Sequence, residues 1–82
     1  MDFVYALYTK KADGSKTLVS ERRSPFSPDD ERGKTAIANY YRLFQRGEFT
    51  GAHAVALTNQ DGTKTWFNRN GHPVDEERAF RV

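Results

Sequence analysis

The sequence predicts an α+β domain of β-β-α-β-β order, a four-stranded antiparallel sheet with one long helix packed on one face. Three observations predict it. A complete helix signature occupies the middle of the chain, from Ser27 to Gly47. On each side of it, two β-branched and aromatic runs flank an Asp-Gly pair, at Asp13-Gly14 and at Asp61-Gly62, which is the strongest short-range signal for a hairpin. The 82 residues include no cysteine, so residues 1–82 form a single domain whose thin core rests on packing, helped by self-association, rather than on disulfides or thiolate-bound metal.

The first strand is Phe3 to Lys10, FVYALYTK, and after the Asp13-Gly14 turn the second is Lys16 to Arg22. Ser24-Pro25-Phe26 leads out of the sheet, because the residue before a proline avoids the helical region. Ser27 is placed to cap the helix, Pro28 to fill a position that needs no donor, and Asp29, Asp30 and Glu31 to complement the positive end of the dipole. Arg42 and Arg46 suit the other end, and Gly47 suits a left-handed C′ position. The third strand is Ala52 to Asn59, short and almost wholly apolar; the fourth is Thr63 to Arg69, followed by an Asn70-Gly71 turn. Val74 begins either a fifth, short edge strand or a tail, and residues 75–82 are read as a flexible or fold-back tail. The two Asp-Gly hairpins resemble each other, which the strong selection for this pair at such turns explains without a duplication.

Thirteen basic and eleven acidic residues leave a net charge of +2 and a pI near 9.1, a weaker bias than dedicated nucleic-acid binders show. The opening Met1-Asp2-Phe3 has no basic leader character, and apolar runs such as Val4 to Tyr8 are too short for a bilayer, so the reading is cytoplasmic.

The helix carries an apolar stripe of Gly33, Ile37, Tyr40, Tyr41 and Phe44, flanked by Ala36 and Leu43, with Thr35, Asn39, Arg42 and Arg46 opposite. Gly33 lowers helix propensity, and its use is the close approach of a strand or a bulky side chain. With each Asp-Gly turn read as a three-residue loop, Leu7 pairs with Val19 and Val55 with Phe67. Phe3, Tyr5, Leu7, Val19, Val55, Leu57 and Phe67 then face the helix. The other face holds Val4, Ala6, Tyr8, Leu18, Ala54, Ala56 and Trp66, rimmed by Lys10, Lys16 and Lys64.

One helix covers one side of such a sheet, and the second face is more aromatic than solvent requires. The leading reading is a non-catalytic protein-binding module that meets a protein partner or a second copy through Tyr8, Leu18 and Trp66 with the three lysines, giving a homodimer in the latter case. A second candidate cover is the chain's own tail, Asp75 to Val82, with Phe80 and Val82 as plugs. The third is single-stranded nucleic acid, with Tyr8 and Trp66 stacking on bases and Lys10, Lys16 and Lys64 contacting phosphates. A basic outer helix face of Arg32, Arg42 and Arg46 reads either as solvated or as a surface for an acidic partner.

Catalytic signals are weak, and no cofactor, metal or small-molecule substrate is implied. His53 opens an apolar strand and His72 sits in a turn; the acidic runs Asp29 to Glu31 and Asp75 to Glu77 suit a helix terminus and a solvated tail better than a metal site. Ser20 and Ser24 lack a nucleophile elbow, and no phosphate-binding loop or dinucleotide motif occurs. In size, absence of cysteine and β-β-α-β-β plan, the chain is similar to small phage and mobile-element proteins that inhibit host machinery by binding it, some anti-CRISPR proteins among them. That similarity of type implies an inhibitor of a host protein.

Overall fold

A computed structural model describes residues 2–46 and 52–80, apart from the side chains of residues 44–46. The chain runs β1 (Phe3–Lys10), β2 (Lys16–Ser24), α1 (Glu31–Arg46), β3 (Ala52–Thr58), β4 (Lys64–Phe67), β5 (Pro73–Val74) and α2 (Glu76–Ala79). The five strands form one antiparallel sheet in the order β2-β1-β3-β4-β5. The expectation of four strands and one helix is therefore corrected at its end, where Pro73–Val74 pairs with β4 and the next residues turn into a second, short helix.

Three turns with one geometry set the hairpins. In each, the first residue's N–H donates to the carbonyl four residues on, and the glycine N–H donates back to the first residue's carbonyl: Lys11 with Ser15 and Gly14, Asn59 with Thr63 and Gly62, Asn68 with His72 and Gly71. Glycine is required there because φ is +90°, +87° and +83° at Gly14, Gly62 and Gly71. In the two Asp-Gly turns, the Asp13 and Asp61 carboxylates accept from the backbone and hydroxyl of Ser15 and Thr63, which holds both carboxyls below their ordinary range.

Val55 pairs with Phe67 as the three-residue loop requires. Leu7 does not pair with Val19. The β1–β2 register matches the expectation from Lys10/Lys16 to Tyr8/Leu18 and then slips by one residue, so that Leu7 lies opposite Ser20 and Val19 is the extra residue of a bulge.

α1 begins later than Ser27. Residues 27–30 make their own turn, with the Asp30 N–H donating to the Ser27 carbonyl, and the Asp30 carboxylate then caps the helix by accepting from the Arg32 N–H at 3.0 Å. The reason for Gly33 follows: a Cβ there would lie 1.8 Å from the Ser27 carbonyl oxygen, so the close approach comes from this turn's backbone. Ile37 and Tyr41 are buried and Tyr40 is half-buried, as the stripe requires, whereas Leu43 on the flank is exposed. Phe44 and Arg46 as side chains, Gly47 and Val82 lie outside the described residues.

Under α1, Tyr5, Leu7, Val55, Leu57 and Phe67 join Ile37 and Tyr41 in one buried cluster, with Phe3 and Tyr40 packed against it. Its two buried hydroxyls are tied down. Tyr5 donates to the Phe26 carbonyl at 2.9 Å, and Tyr41 accepts from the Val55 N–H and donates to the Phe67 carbonyl. Tyr41 thereby bridges β3 and β4 from the helix layer.

Candidate functional site

On the opposite face the floor is made of small residues, Ala54 and Ala56 of β3, both fully buried. Small side chains leave room above them, and Trp66 from β4, with Ala79 and Phe80 from the end of α2, fill it. Three rings run in a row: Tyr8 to Trp66 at 5.4 Å between centroids and Trp66 to Phe80 at 5.2 Å, both tilted by 49°. The geometry is that of aromatic pairs that avoid face-to-face stacking.

α2 is placed by its own local signals. Pro73 and Val74 end the chain's pairing with β4, and the Asp75 carboxylate accepts from the Arg78 N–H at 2.8 Å as an N-cap. Glu76 and Glu77 sit in the first turn, where the dipole favours them. Four residues of helix would not form alone. They are held because Ala79 and Phe80 bury against the sheet and Glu76 forms an ion pair with Lys16.

The residues singled out in the sequence come together here. Tyr8 and Leu18 face each other across β1 and β2, Trp66 lies beside Tyr8, and each of the three lysines stands over a ring. Lys10 is 5.5 Å from the centroid of Phe80, Lys16 is 5.4 Å from that of Trp66, and Lys64 is 5.8 Å from that of Tyr8. These are cation–π distances. Lys10 and Lys16 are also directly opposite in the β1–β2 ladder, a like-charge placement that opposes pairing. The Glu76 carboxylate relieves one of them; Lys10 and Lys64 have no ion pair among the described residues.

One feature of the sequence reading is corrected: the aromatic face is not open. Trp66 is 8% exposed, because the tail, ranked behind a partner as its cover, folds over it through Ala79 and Phe80. What remains open is the β1–β2 side, where Leu18 is 46% exposed, Tyr8 half-buried, and Lys16 and Lys64 exposed at the rim. The part of the site that sequence reasoning left in doubt, Phe80 and Glu76, carried a usable signal in the Asp75 cap that follows Pro73.

No protein-family model, no curated protein and no solved structure matches this chain.

The remaining candidates stay apart. Among the described residues no group of three His, Cys, Asp or Glu side chains could hold a metal ion. His53 is in β3, with its pKa lowered by burial and then by the Arg69 charge, and His72 is a turn residue whose N–H donates to the Asn68 side chain. Asp30 of the first acidic run is occupied as the α1 cap and Asp75 of the second as the α2 cap. Ser24 is buried, its hydroxyl accepting from the Phe26 N–H. Among the described residues no helix is long and apolar enough to cross a membrane.

Proposed function

We propose that this chain is a small non-catalytic protein-binding module that docks an acidic protein surface on the lysine-rimmed side of the aromatic cluster. The observation that carries the reading is the concentration of Lys10, Lys16 and Lys64 around Tyr8, Trp66 and Phe80, beside the exposed Leu18. Stability argues against such a grouping, since two of the lysines oppose each other across a ladder and only one meets a carboxylate. A partner's carboxylates would relieve the repulsion while Leu18 and the edge of Tyr8 supply apolar contact, the usual division between the rim and the centre of an interface. As a phage or mobile-element inhibitor of a host protein, such a module acts by occupying its target.

The test compares partner capture by the intact chain with capture by a Lys10→Glu/Lys64→Glu variant and by Leu18→Asp. None of the three side chains belongs to either buried cluster, so far-ultraviolet circular dichroism should show unchanged folding. Loss of the same captured protein from both variants supports the reading, and retention by both removes it. Single-stranded nucleic acid is the alternative occupant of the same lysines. Stacking on Trp66 would require α2 to leave, so that reading expects titration with a mixed-sequence oligonucleotide to give a salt-dependent affinity together with a change in Trp66 fluorescence.

A further inference from the structure

We propose that α2 occupies the binding site as a stand-in for a segment of the partner, and that the site takes a short acidic helical turn in which a carboxylate precedes an aromatic ring by four residues. The inference rests on the reading of the lysine-rimmed side as a docking surface for an acidic protein, and it names the element by which that protein is held. α2 and its C-cap residue Phe80 meet the sheet through three kinds of contact. Glu76 gives its carboxylate to Lys16, and Ala79 is buried in one cluster with Ala54 and Ala56. The Phe80 ring lies 5.2 Å from that of Trp66, with the Lys10 ammonium 5.5 Å from its centroid. Glu76, Ala79 and Phe80 stand at i, i+3 and i+4, the spacing by which a groove reads one side of a helical turn. Asp75 and Arg78 pair with each other instead, at 3.8 Å, with side chains 65% and 71% exposed.

α2 can leave without dismantling the frame. Its buried residues belong to a cluster separate from the one under α1. The Tyr41 hydroxyl reaches the Ala79 carbonyl at 3.5 Å, the limit of a hydrogen bond, but it also donates to the Phe67 carbonyl, so departure of α2 leaves it satisfied. A four-residue helix is not stable by itself. Tethering holds it in place, at an effective concentration on the order of millimolar or above.

The site is incompletely used by its occupant. Among the described residues, Lys16 alone of the three lysines meets a carboxylate, and Leu18 beside it is 46% exposed. A turn of the same chemistry carried on an acidic surface repeats the contacts of α2 and adds carboxylates for Lys10 and Lys64 and apolar cover for Leu18. That surplus is what displaces α2, because a competing segment shifts the equilibrium only by what it gains beyond the resident one.

The experiment follows Trp66, the single tryptophan, in the full chain carrying Phe80→Ala, which empties the ring position. The chain is titrated with a terminally blocked synthetic peptide of residues 75–80. Its emission should move to shorter wavelength and saturate at up to millimolar peptide. The Phe80→Ala peptide should bind at least about tenfold more weakly and the Glu76→Lys peptide about fivefold more weakly, and Lys16→Glu in the chain should reverse the second preference. A peptide that keeps Asp75, Glu76, Ala79 and Phe80, with serine elsewhere, should bind within about threefold of the native one. Ala79→Arg in the full chain is a second way to empty the site, and circular dichroism checks the sheet. Unfolding of both chain variants makes α2 part of the frame and overturns the proposal. So does silence of the folded variants to millimolar peptide, equal binding of all the peptides, or loss of binding by the serine peptide. The underlying reading is tested apart. Capture that survives both Lys10→Glu/Lys64→Glu and Leu18→Asp removes that reading, whereas silent peptides with lysine-dependent capture remove the stand-in role of α2 alone.

Discussion

The two faces of the sheet solve the same burial problem in opposite ways. Under α1, large side chains from three strands interlock with a sixteen-residue helix, and the hydroxyls of Tyr5 and Tyr41 bond to the backbone of neighbouring segments. Under α2, an alanine floor is roofed by one tryptophan and one phenylalanine, and the covering helix has four residues. The first face is closed by its own sequence-local amphipathic element. The second is closed by the end of the chain, and its remaining edge is left to three lysines and an exposed leucine. Stability is therefore concentrated on one side of the sheet and accessible surface on the other, a division that suits a binding module.

The largest difference should appear on truncating one ring from each face. Phe67→Ala removes a fully buried side chain from the α1 cluster and is expected to cost about 3–5 kcal/mol, enough to unfold a domain of this size. Phe80→Ala acts at a chain end that can open alone and should cost at most about 3 kcal/mol, leaving the α1 face folded. Chemical denaturation of the two variants checks the order, and equal losses would show that the sheet's faces are one cooperative core.

Gly33→Ala should come next. In an exposed helix the change would gain about 1 kcal/mol of propensity. Here the new methyl group meets the Ser27 carbonyl, so the thermal midpoint should fall by the equivalent of roughly 1–3 kcal/mol, the usual cost of overpacking. A rise in the midpoint would mean that the 27–30 turn does not sit on α1.

The α1 face should also respond to alkali. Burial pushes the Tyr5 hydroxyl up from 10.0 to about 12, and burial raises Tyr40 and Tyr41 as well. A phenol that holds its proton longer when folded contributes stability that is complete below pH 10 and lost as pH rises towards about 12. Alkaline titration of the folded state should therefore open the α1 face, and Tyr5→Phe should make the loss shallower. An unchanged slope in that variant would assign the transition to other groups.

The smallest effect is expected at the ion pair between Lys16 and Glu76, whose side chains are each 40% exposed. Lys16→Glu should cost no more than about 1 kcal/mol, with recovery in the Lys16→Glu/Glu76→Lys double variant. A larger loss would make the pair a main fastening of α2.

How much of this was legible in the sequence follows the length scale of each signal. The Asp-Gly turns were legible because a left-handed position demands glycine, and the hairpin register next to them followed, placing Tyr8 opposite Leu18 and Val55 opposite Phe67. That is why the residues named for the site meet in space. The bulge at Val19 was not legible, because nothing in Leu18-Val19-Ser20 distinguishes an extra residue from a paired one. Ser27 and Asp30 are both good caps, and the choice between them depends on the turn that Gly33 admits. α2 is too short for any periodic pattern, so its existence depends on tertiary burial of Phe80 against Trp66 rather than on local propensity.

Trp66 is the chain's single tryptophan, so its fluorescence reads the second face alone. In the intact chain the account expects short-wavelength emission, weak quenching by iodide and no change on adding single-stranded DNA, with a red shift and stronger quenching in Phe80→Ala. Solvent-like emission from the intact chain, quenched by iodide or DNA as readily as in the variant, would contradict a second face closed by α2.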